Sequence, residues 1–85
     1  MIMKVLDTEA TGRRIRELRR EKKVTVEMIG EYLNCSEQAV YKWQRGDSLP
    51  TVDNLYALSR LFETSVDAIL IGDKEKDESP SLSVC

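Results

Sequence analysis

The stretch from Ser36 to Gly46, SEQAVYKWQRG, is the segment around which the rest of the chain is organised. At about 100° per residue, a helix over this stretch has two different faces. Ala39, Val40 and Trp43 share an apolar face that can pack against a core. The opposite face is polar and carries Glu37, Gln38, Tyr41, Lys42 and Arg45. The pattern therefore predicts a helix with one buried side and one side free to contact a partner.

The polar face contains an acid, an amide, a phenol and two cations. Side chains of these types supply the hydrogen-bond donors and acceptors that recognise base edges in the major groove of DNA. The plainer interpretation of each is a solvated side chain on an exposed helix, so the neighbouring sequence has to decide between the two.

A second helix precedes this one over residues 26 to 33, where Met28, Ile29, Tyr32 and Leu33 recur at helical spacing behind the cap residue Thr25. Gly30 inside it indicates a place where another backbone comes close. Asn34 tolerates the left-handed conformation that ends helices, and Ser36 can cap the next one. Two short helices joined by so tight a turn predict a helix-turn-helix, whose second helix enters the major groove.

Three further helices complete the expected fold. The first runs from about residue 8 to 22 behind Asp7 or Thr8, the fourth begins after Thr51, and the fifth, short one begins after Ser65 and ends near Gly72. Their apolar positions predict a shared core of Ile15, Leu18, Ile29, Trp43, Leu55, Leu58 and Phe62.

The fold class is therefore all-α, with five helices in one small domain. We expect residues 1–7 to form an N-terminal extension, residues 8–72 to form the helix-turn-helix domain, and residues 73–85 to form a charged tail. Because that tail is rich in Lys, Glu, Asp, Ser and Pro, it cannot bury apolar surface and is predicted to be disordered.

Composition excludes several classes of function. The chain has no His, and Cys35 and Cys85 are too far apart for a ligand motif, so we expect no metal and no cofactor. It has no Gly-rich phosphate loop and no evident pairing of nucleophile and base, so we expect no enzyme. No segment is long and apolar enough for a membrane span, and no signal peptide is evident, so a cytoplasmic location is expected.

Net charge weighs against DNA, since neutralising phosphates is the main source of non-specific affinity. The whole chain carries −2, and residues 11–70 carry ten Lys or Arg against nine Asp or Glu. The predicted domain is thus nearly neutral rather than basic.

The ordered series across residues 11 to 72 nevertheless resembles the phage repressor and Cro type of helix-turn-helix domain, often called the XRE family. Its motifs are G12-x-x-I15-x-x-L18-R19, then T25, then L33-N-C-S36, then V40-x-x-W43-x-R45-G46-x-x-x-P50, and finally S65-V-D-x-I69-L70. The resemblance implies a lambda-repressor-like fold and a homodimer on a palindromic operator in double-stranded DNA. We expect the dimer to form through the helix-five region: Val66, Ile69, Leu70 and Ile71.

The resemblance also implies roles for single residues. Base-reading positions correspond to Glu37, Gln38, Tyr41 and Lys42, and Arg45 corresponds to a contact with the DNA backbone. If the domain binds DNA, we expect Arg13, Arg16 and Thr25 to contact phosphates as well. The sequence departs from the family pattern at Val26, where a phosphate-binding Gln is common, and at Gln44, where a Glu usually pairs with the equivalent of Arg19. It departs again at Asp47, a negative charge in a loop that often faces phosphate, and at Glu63, where a Gly is usual.

Two functions remain open at this point. The first is a sequence-specific transcriptional regulator that binds double-stranded DNA, without a small-molecule effector domain. The second is a protein-interaction module on the same fold, such as an antitoxin, an anti-repressor or a component of a complex, and the near-neutral charge favours it.

Overall fold

The computed structural model describes the backbone of residues 4–72, 74 and 75, and the side chains of residues 6–72. Five helices form within this range, which confirms the all-α prediction. They are α1 (Thr8–Glu21), α2 (Val26–Leu33), α3 (Glu37–Arg45), α4 (Val52–Leu61) and α5 (Val66–Ile69).

Every helix begins behind a residue whose side-chain oxygen accepts a hydrogen bond from the backbone N–H three residues later. These cap residues are Asp7, Thr25, Ser36, Thr51 and Ser65. Each was identifiable in the sequence, since short polar side chains at these positions satisfy N–H groups that the first turn leaves unpaired. Between the two candidates before α1, Asp7 is the cap.

Residues in the left-handed conformation lie between consecutive helices. Asn34 (φ 57°) ends α2 and Gly46 (φ 83°) ends α3, as their residue types predict. Glu63 (φ 57°), at the position where the family usually has Gly, follows α4 in the same conformation, and Lys23 (φ 58°) precedes α2. Because L side chains are unfavourable in this region, both Glu63 and Lys23 hold local strain.

The core contains all seven predicted residues and Val40, which the apolar face of the third helix also predicted, together with three more: Val24, Val26 and Ile69. Burial of Val26 at the start of α2 explains why an apolar residue occupies a position where the family often has Gln. Met28 and Tyr32 keep the helical spacing of α2 but are exposed, so of the four residues that predicted this helix only Ile29 and the half-buried Leu33 face the interior.

Helix α1 packs closely on α3 through Gly12. A Cβ atom on Gly12 would collide with the carbonyl oxygen of Trp43 and would stand 2.6 Å from that of Gln44. Only glycine permits this approach. Gly30 in α2 is also in a close contact, since a Cβ there would lie 3.0 Å from the carbonyl oxygen of Cys35, as a glycine within the helix suggests.

A small sheet of two strands was not predicted. Strand β1 (Lys4–Val5) pairs antiparallel with β2 (Lys74–Glu75), with Lys4 opposite Glu75. Two residues of the expected tail, 74 and 75, therefore have regular structure, and the remaining tail residues, 73 and 76–85, lie outside the described range, as do residues 1–3. The pairing extends a contact in which Asp7 N–H donates to the carbonyl of Ile71 at 2.8 Å. Backbone groups make these bonds, so side-chain periodicity gave no signal for them.

None of the described helices is long and apolar enough to cross a lipid bilayer.

Candidate nucleic-acid interface

The outer face of α3 is solvent-exposed along its whole length. Its exposed side chains are Glu37, Gln38, Tyr41, Lys42 and Arg45. On the opposite side, Val40 is fully buried and Trp43 is 5% exposed, which fixes the rotation of the helix about its axis. The two faces predicted from the sequence are the two faces observed.

Four of these five residues share one shallow depression on the surface: Gln38, Tyr41, Lys42 and Arg45. An amide, a phenol and two cations therefore converge, which suits contact with a surface that presents both base edges and phosphates. The side chain of Tyr41 is 48% exposed, so its ring offers apolar surface that can contact a thymine methyl group.

Glu37 lies apart from this group. It borders a second depression, at the turn between α2 and α3, together with Glu27 and Glu31 of α2. Three carboxylates at this edge create a negative potential that disfavours the approach of phosphate. The surface of α3 is thus mixed and acidic at its N-terminal end.

The expected phosphate contacts occupy three locations. Thr25 is exposed at the start of α2, and its hydroxyl oxygen accepts a hydrogen bond from the Met28 N–H at 3.0 Å. Arg13 and Arg16 are both exposed on α1, where they border one depression with Glu17 and Arg20. Arg16 also reaches the groove beside α3, whereas Arg13 borders only the depression on α1 among the cavities described.

Arg45 pairs with the neighbouring loop. Its Nε donates to Oδ2 of Asp47 at 2.9 Å, and both side chains are more than half exposed. The carboxylate offsets part of the charge of Arg45, but the remaining guanidinium donors stay available because Arg carries five N–H groups. The loop acid that departs from the family pattern is therefore partnered within the chain.

A groove runs between α1 and α3, next to the depression on the outer face of α3. It is lined by Arg16, Arg19, Tyr41, Gln44 and Arg45. Arg19 Nε donates to Oε1 of Gln44 at 3.2 Å, and Arg19 Nη1 donates to the carbonyl oxygen of Val24 at 3.1 Å. The predicted pair between a cation and a neutral amide is thus formed.

Sequence reasoning missed that this pair belongs to a basic groove. The available signal was the matching spacing of Arg16 and Arg19 on α1 and of Tyr41, Gln44 and Arg45 on α3, because residues three or four apart share one face of a helix. Only the approach at Gly12 brings the two faces together.

Cys35 lies in the turn between α2 and α3, half-buried against the core. Burial raises the pKa of its thiol above the ordinary value, because desolvation disfavours the thiolate. In this position Cys35 serves as a small apolar residue. The described residues contain no group of three or more carboxylates and thiols arranged to hold a metal ion.

Helices α2 and α3 are joined by a tight turn. One face of α3 is buried through Val40 and Trp43, and its opposite face is polar and exposed. This arrangement defines a helix-turn-helix domain. The helix-turn-helix family model matches residues 15–69, and the chain belongs to this family.

Two curated relatives are similar over most of this chain. The HTH-type transcriptional regulator DicA of Escherichia coli (strain K12) is 42% identical over 69 residues, which cover 81% of this chain and 51% of DicA. The repressor protein C2 of Salmonella phage P22 is 34% identical over 68 residues, which cover 80% of this chain and 32% of C2. The chain thus spans about half the length of DicA and about a third of C2.

Among solved structures, the P22 c2 repressor protein in complex with a synthetic operator superimposes with a TM-score of 0.65 at 32% identity. The match covers 69% of this chain and 89% of that one. It confirms the lambda-repressor-like fold expected from the sequence motifs.

Proposed function

We propose that this chain is a sequence-specific regulator of transcription that binds double-stranded DNA and places α3 in the major groove. The observation that carries the proposal is the convergence of four side chains on one exposed depression, which we call the reading surface: Gln38, Tyr41, Lys42 and Arg45. The opposite side of α3 is held in the core by Val40 and Trp43. A rigid helix with exposed amide, phenol and ammonium groups is what readout of base edges requires.

The base-reading roles follow from side-chain chemistry. Gln38 pairs with adenine through its amide, Lys42 donates to guanine, and Tyr41 contacts a thymine methyl group or a phosphate. Glu37 accepts from the amino group of cytosine, at the acidic end of the helix, where repulsion from phosphate also rejects wrong registers.

Phosphate contacts fix the position of the helix on the duplex. Arg45, at one edge of the reading surface, and Arg16, in the groove next to it, approach one backbone strand. Thr25 lies at the start of α2, where the positive end of the helix dipole favours an anion. Arg13, on the outer part of α1, supplies a longer-range attraction.

The relatives support the same proposal. The similar regulators are described as HTH-type transcriptional regulators or repressors, and the superimposed P22 structure contains a synthetic operator. Because this chain covers only part of DicA and C2, the likeness supports DNA binding by the domain, and any further activity of those proteins is not implied.

We also propose that two copies associate through the α5 region and bind a palindromic operator with half-sites about 34 Å apart. The structure corrects one residue of the expected dimer surface. Ile69 is fully buried in the core of its own chain and cannot contact a partner. Val66 and Leu70 are half-buried and Ile71 is 37% exposed, so these three remain available.

The alternative function, a protein-interaction module, is favoured by a different observation. Three carboxylates border the start of α3, and Asp47 offsets the charge of Arg45. Both features reduce attraction to phosphate. The exposed Val52 and Tyr56 on α4 would then supply apolar area for a protein partner.

Selection of bound duplexes from a random-sequence pool, followed by titration at two salt concentrations, separates the two functions. We expect enrichment of a palindromic sequence and binding that weakens as salt increases. Absence of salt-dependent binding at low ionic strength would exclude the DNA proposal and leave the protein-interaction module.

A further inference from the structure

We infer that Thr11 is a positioning residue that sets the distance between the two operator half-sites that the dimer accepts. The inference rests on the proposed function and adds to it a role for a side chain that, being fully buried, touches neither DNA nor the second copy. The Thr11 hydroxyl makes two hydrogen bonds to the backbone of Ile71. Ile71 belongs to the proposed dimer surface, together with Val66 and Leu70, so Thr11 holds that surface on α1.

The hydrogen bonds of Thr11 join distant parts of the chain. Its Oγ1 donates to the carbonyl oxygen of Ile71 at 3.3 Å and accepts from the Ile71 N–H at 2.9 Å, across 60 positions of sequence. A threonine inside a helix can instead bond the carbonyl of its own preceding turn. Here a single hydroxyl pairs with both backbone groups of one residue, which fixes the position and the direction of the segment after α5.

Two further hydrogen bonds attach the same segment to α1. The Asp7 N–H donates to the carbonyl of Ile71 at 2.8 Å, and Arg14 Nε donates to the carbonyl of Ala68 at 3.0 Å. Positions 7, 11 and 14 are four and three residues apart, so they follow one face of α1. The end of α5 is therefore held along two turns of α1, and it cannot tilt without breaking several hydrogen bonds.

The same turn of α1 also holds the reading helix. Gly12 follows Thr11 directly and lies against the backbone of Trp43 and Gln44 in α3. The dimer surface and α3 are thus attached to α1 at two consecutive residues. A change in the angle of the α5 segment on α1 is consequently a change in the angle between the dimer surface and the reading surface.

Two-fold symmetry enlarges the effect of such a change. Both copies of a symmetric dimer have the same internal angle, so a deviation occurs twice and the displacements of the two α3 helices add. One base pair inserted between half-sites moves them apart by about 3.4 Å and rotates them by about 35°. A dimer with a rigid attachment at Thr11 rejects this longer duplex, whereas a dimer with a loose attachment adapts to it.

The test is Thr11→Val in the full chain, which keeps the shape of the side chain and removes both hydrogen bonds. Binding is titrated on the selected palindromic duplex and on the same duplex with one base pair inserted at its centre. The ratio of the two dissociation constants should fall about fivefold, because adaptation to the longer duplex no longer breaks the bonds to Ile71. Affinity for a duplex with a single half-site should stay that of the parent, since Gly12 still holds α3.

Ser59→Ala is the matched control. Ser59 is also a buried hydroxyl, but its hydrogen bond goes to the carbonyl of Tyr56 at 2.6 Å, within α4. Its removal should lower stability and leave the ratio unchanged, because the bonds between α1 and the α5 segment remain. Thr11→Ser keeps a hydroxyl at position 11 and should restore the ratio of the parent.

Arg14→Met tests the same attachment at a second point, where a failure to fold is not expected. Arg14 is half-buried, and the substitution removes its hydrogen bond to Ala68. The ratio should again fall. The lost charge weakens binding to both duplexes alike, since they carry the same half-sites, and so cancels in the ratio.

A ratio in Thr11→Val and Arg14→Met equal to that of the parent would overturn the inference while the proposed function stands. An equal fall in Ser59→Ala would also overturn it, because the effect would then follow from stability alone. A parent that binds both duplexes equally well selects no distance between half-sites, which again rejects the role of Thr11. Failure of the parent to bind either duplex would instead reject the proposed function, and the inference with it.

Discussion

Gly12 of α1 lies directly against the backbone carbonyl of Trp43, at a distance that leaves no space for a Cβ atom. Backbone therefore packs on backbone where the first helix crosses the end of the third. This contact decides how the polar surface of α3 is presented, because α1 and α3 cannot separate or rotate without losing it.

Gly12→Ala should destabilise the domain by about 1–3 kcal/mol, despite the better helix propensity of Ala, because carbonyl oxygens cannot move aside as a side chain can. Urea unfolding measures the change. Gly72→Ala is the matched control, since a Cβ there would meet only Cδ2 of Leu6 at 3.7 Å. Its effect should stay within about 0.5 kcal/mol. Equal effects of the two substitutions would show that the contact at Gly12 is not tight in solution.

Glu63→Gly should stabilise the fold by about 1 kcal/mol, because Glu63 holds φ 57° and glycine adopts this conformation without steric cost. The substitution also removes an ion pair between Lys22 and Glu63 at 3.5 Å, but that pair is exposed and contributes little. Thermal unfolding of Glu63→Gln isolates the loss of the ion pair. A glycine variant no more stable than the glutamine variant would argue against strain at this position.

Gln38→Ala should cost about 1–3 kcal/mol of binding to the selected duplex and relax the preference at one base pair. The reason is that Gln38 is an exposed amide on the reading surface and its removal leaves the fold intact. Competition titrations with single-base variants of the duplex measure this. Binding of all variants in the same order as the parent would show that Gln38 does not read a base.

Ile71→Lys should weaken self-association, because Ile71 is an exposed apolar side chain beside α5, and a like charge from each copy would meet at a symmetric interface. Its backbone bonds to Asp7 and Thr11 do not depend on the side chain. Sedimentation velocity across a concentration series measures the change. Val52→Lys, at an exposed position on α4, is the control. A dimer unaffected by Ile71→Lys would place the interface elsewhere.

Cys35 should react slowly with iodoacetamide near neutral pH. Burial raises the pKa of its thiol, so the reactive thiolate forms only at a higher pH than in a peptide. The pH profile of the alkylation rate, measured in a Cys85→Ser background, should therefore be shifted to higher pH. The same profile in urea is the control, and coincidence of the two would show that burial does not protect the thiol.

The helix caps were predictable from the sequence because each depends only on residues close together in the chain. Ser36, Thr51 and Ser65 act as caps through bonds to residues three positions away, so sequence alone identifies them. Ile69 shows the limit of such reasoning. It was expected in the dimer interface, but the packing of α5 on α4 and α1 buries it fully in the core.

The candidate site was predictable to a similar extent. The exposed face of α3 follows from its periodicity, because Val40 and Trp43 must point inward together. The groove that Arg16 and Arg19 form with α3 depends instead on the distance between two helices. Charge at Glu27 and Glu31 beside Glu37 is likewise a tertiary feature, since the turn folds α2 back toward the start of α3.

The pairing of Lys4 with Glu75 places the entry and the exit of the domain side by side. A short loop joining these two strands would therefore close the chain without distorting the core, and the domain could be reopened at the exposed loop containing Asp47 and Ser48. Such a circular permutant would present the intact α1, α2 and α3 surface from a different chain order. The architecture of the reading surface is in this sense independent of where the polypeptide starts.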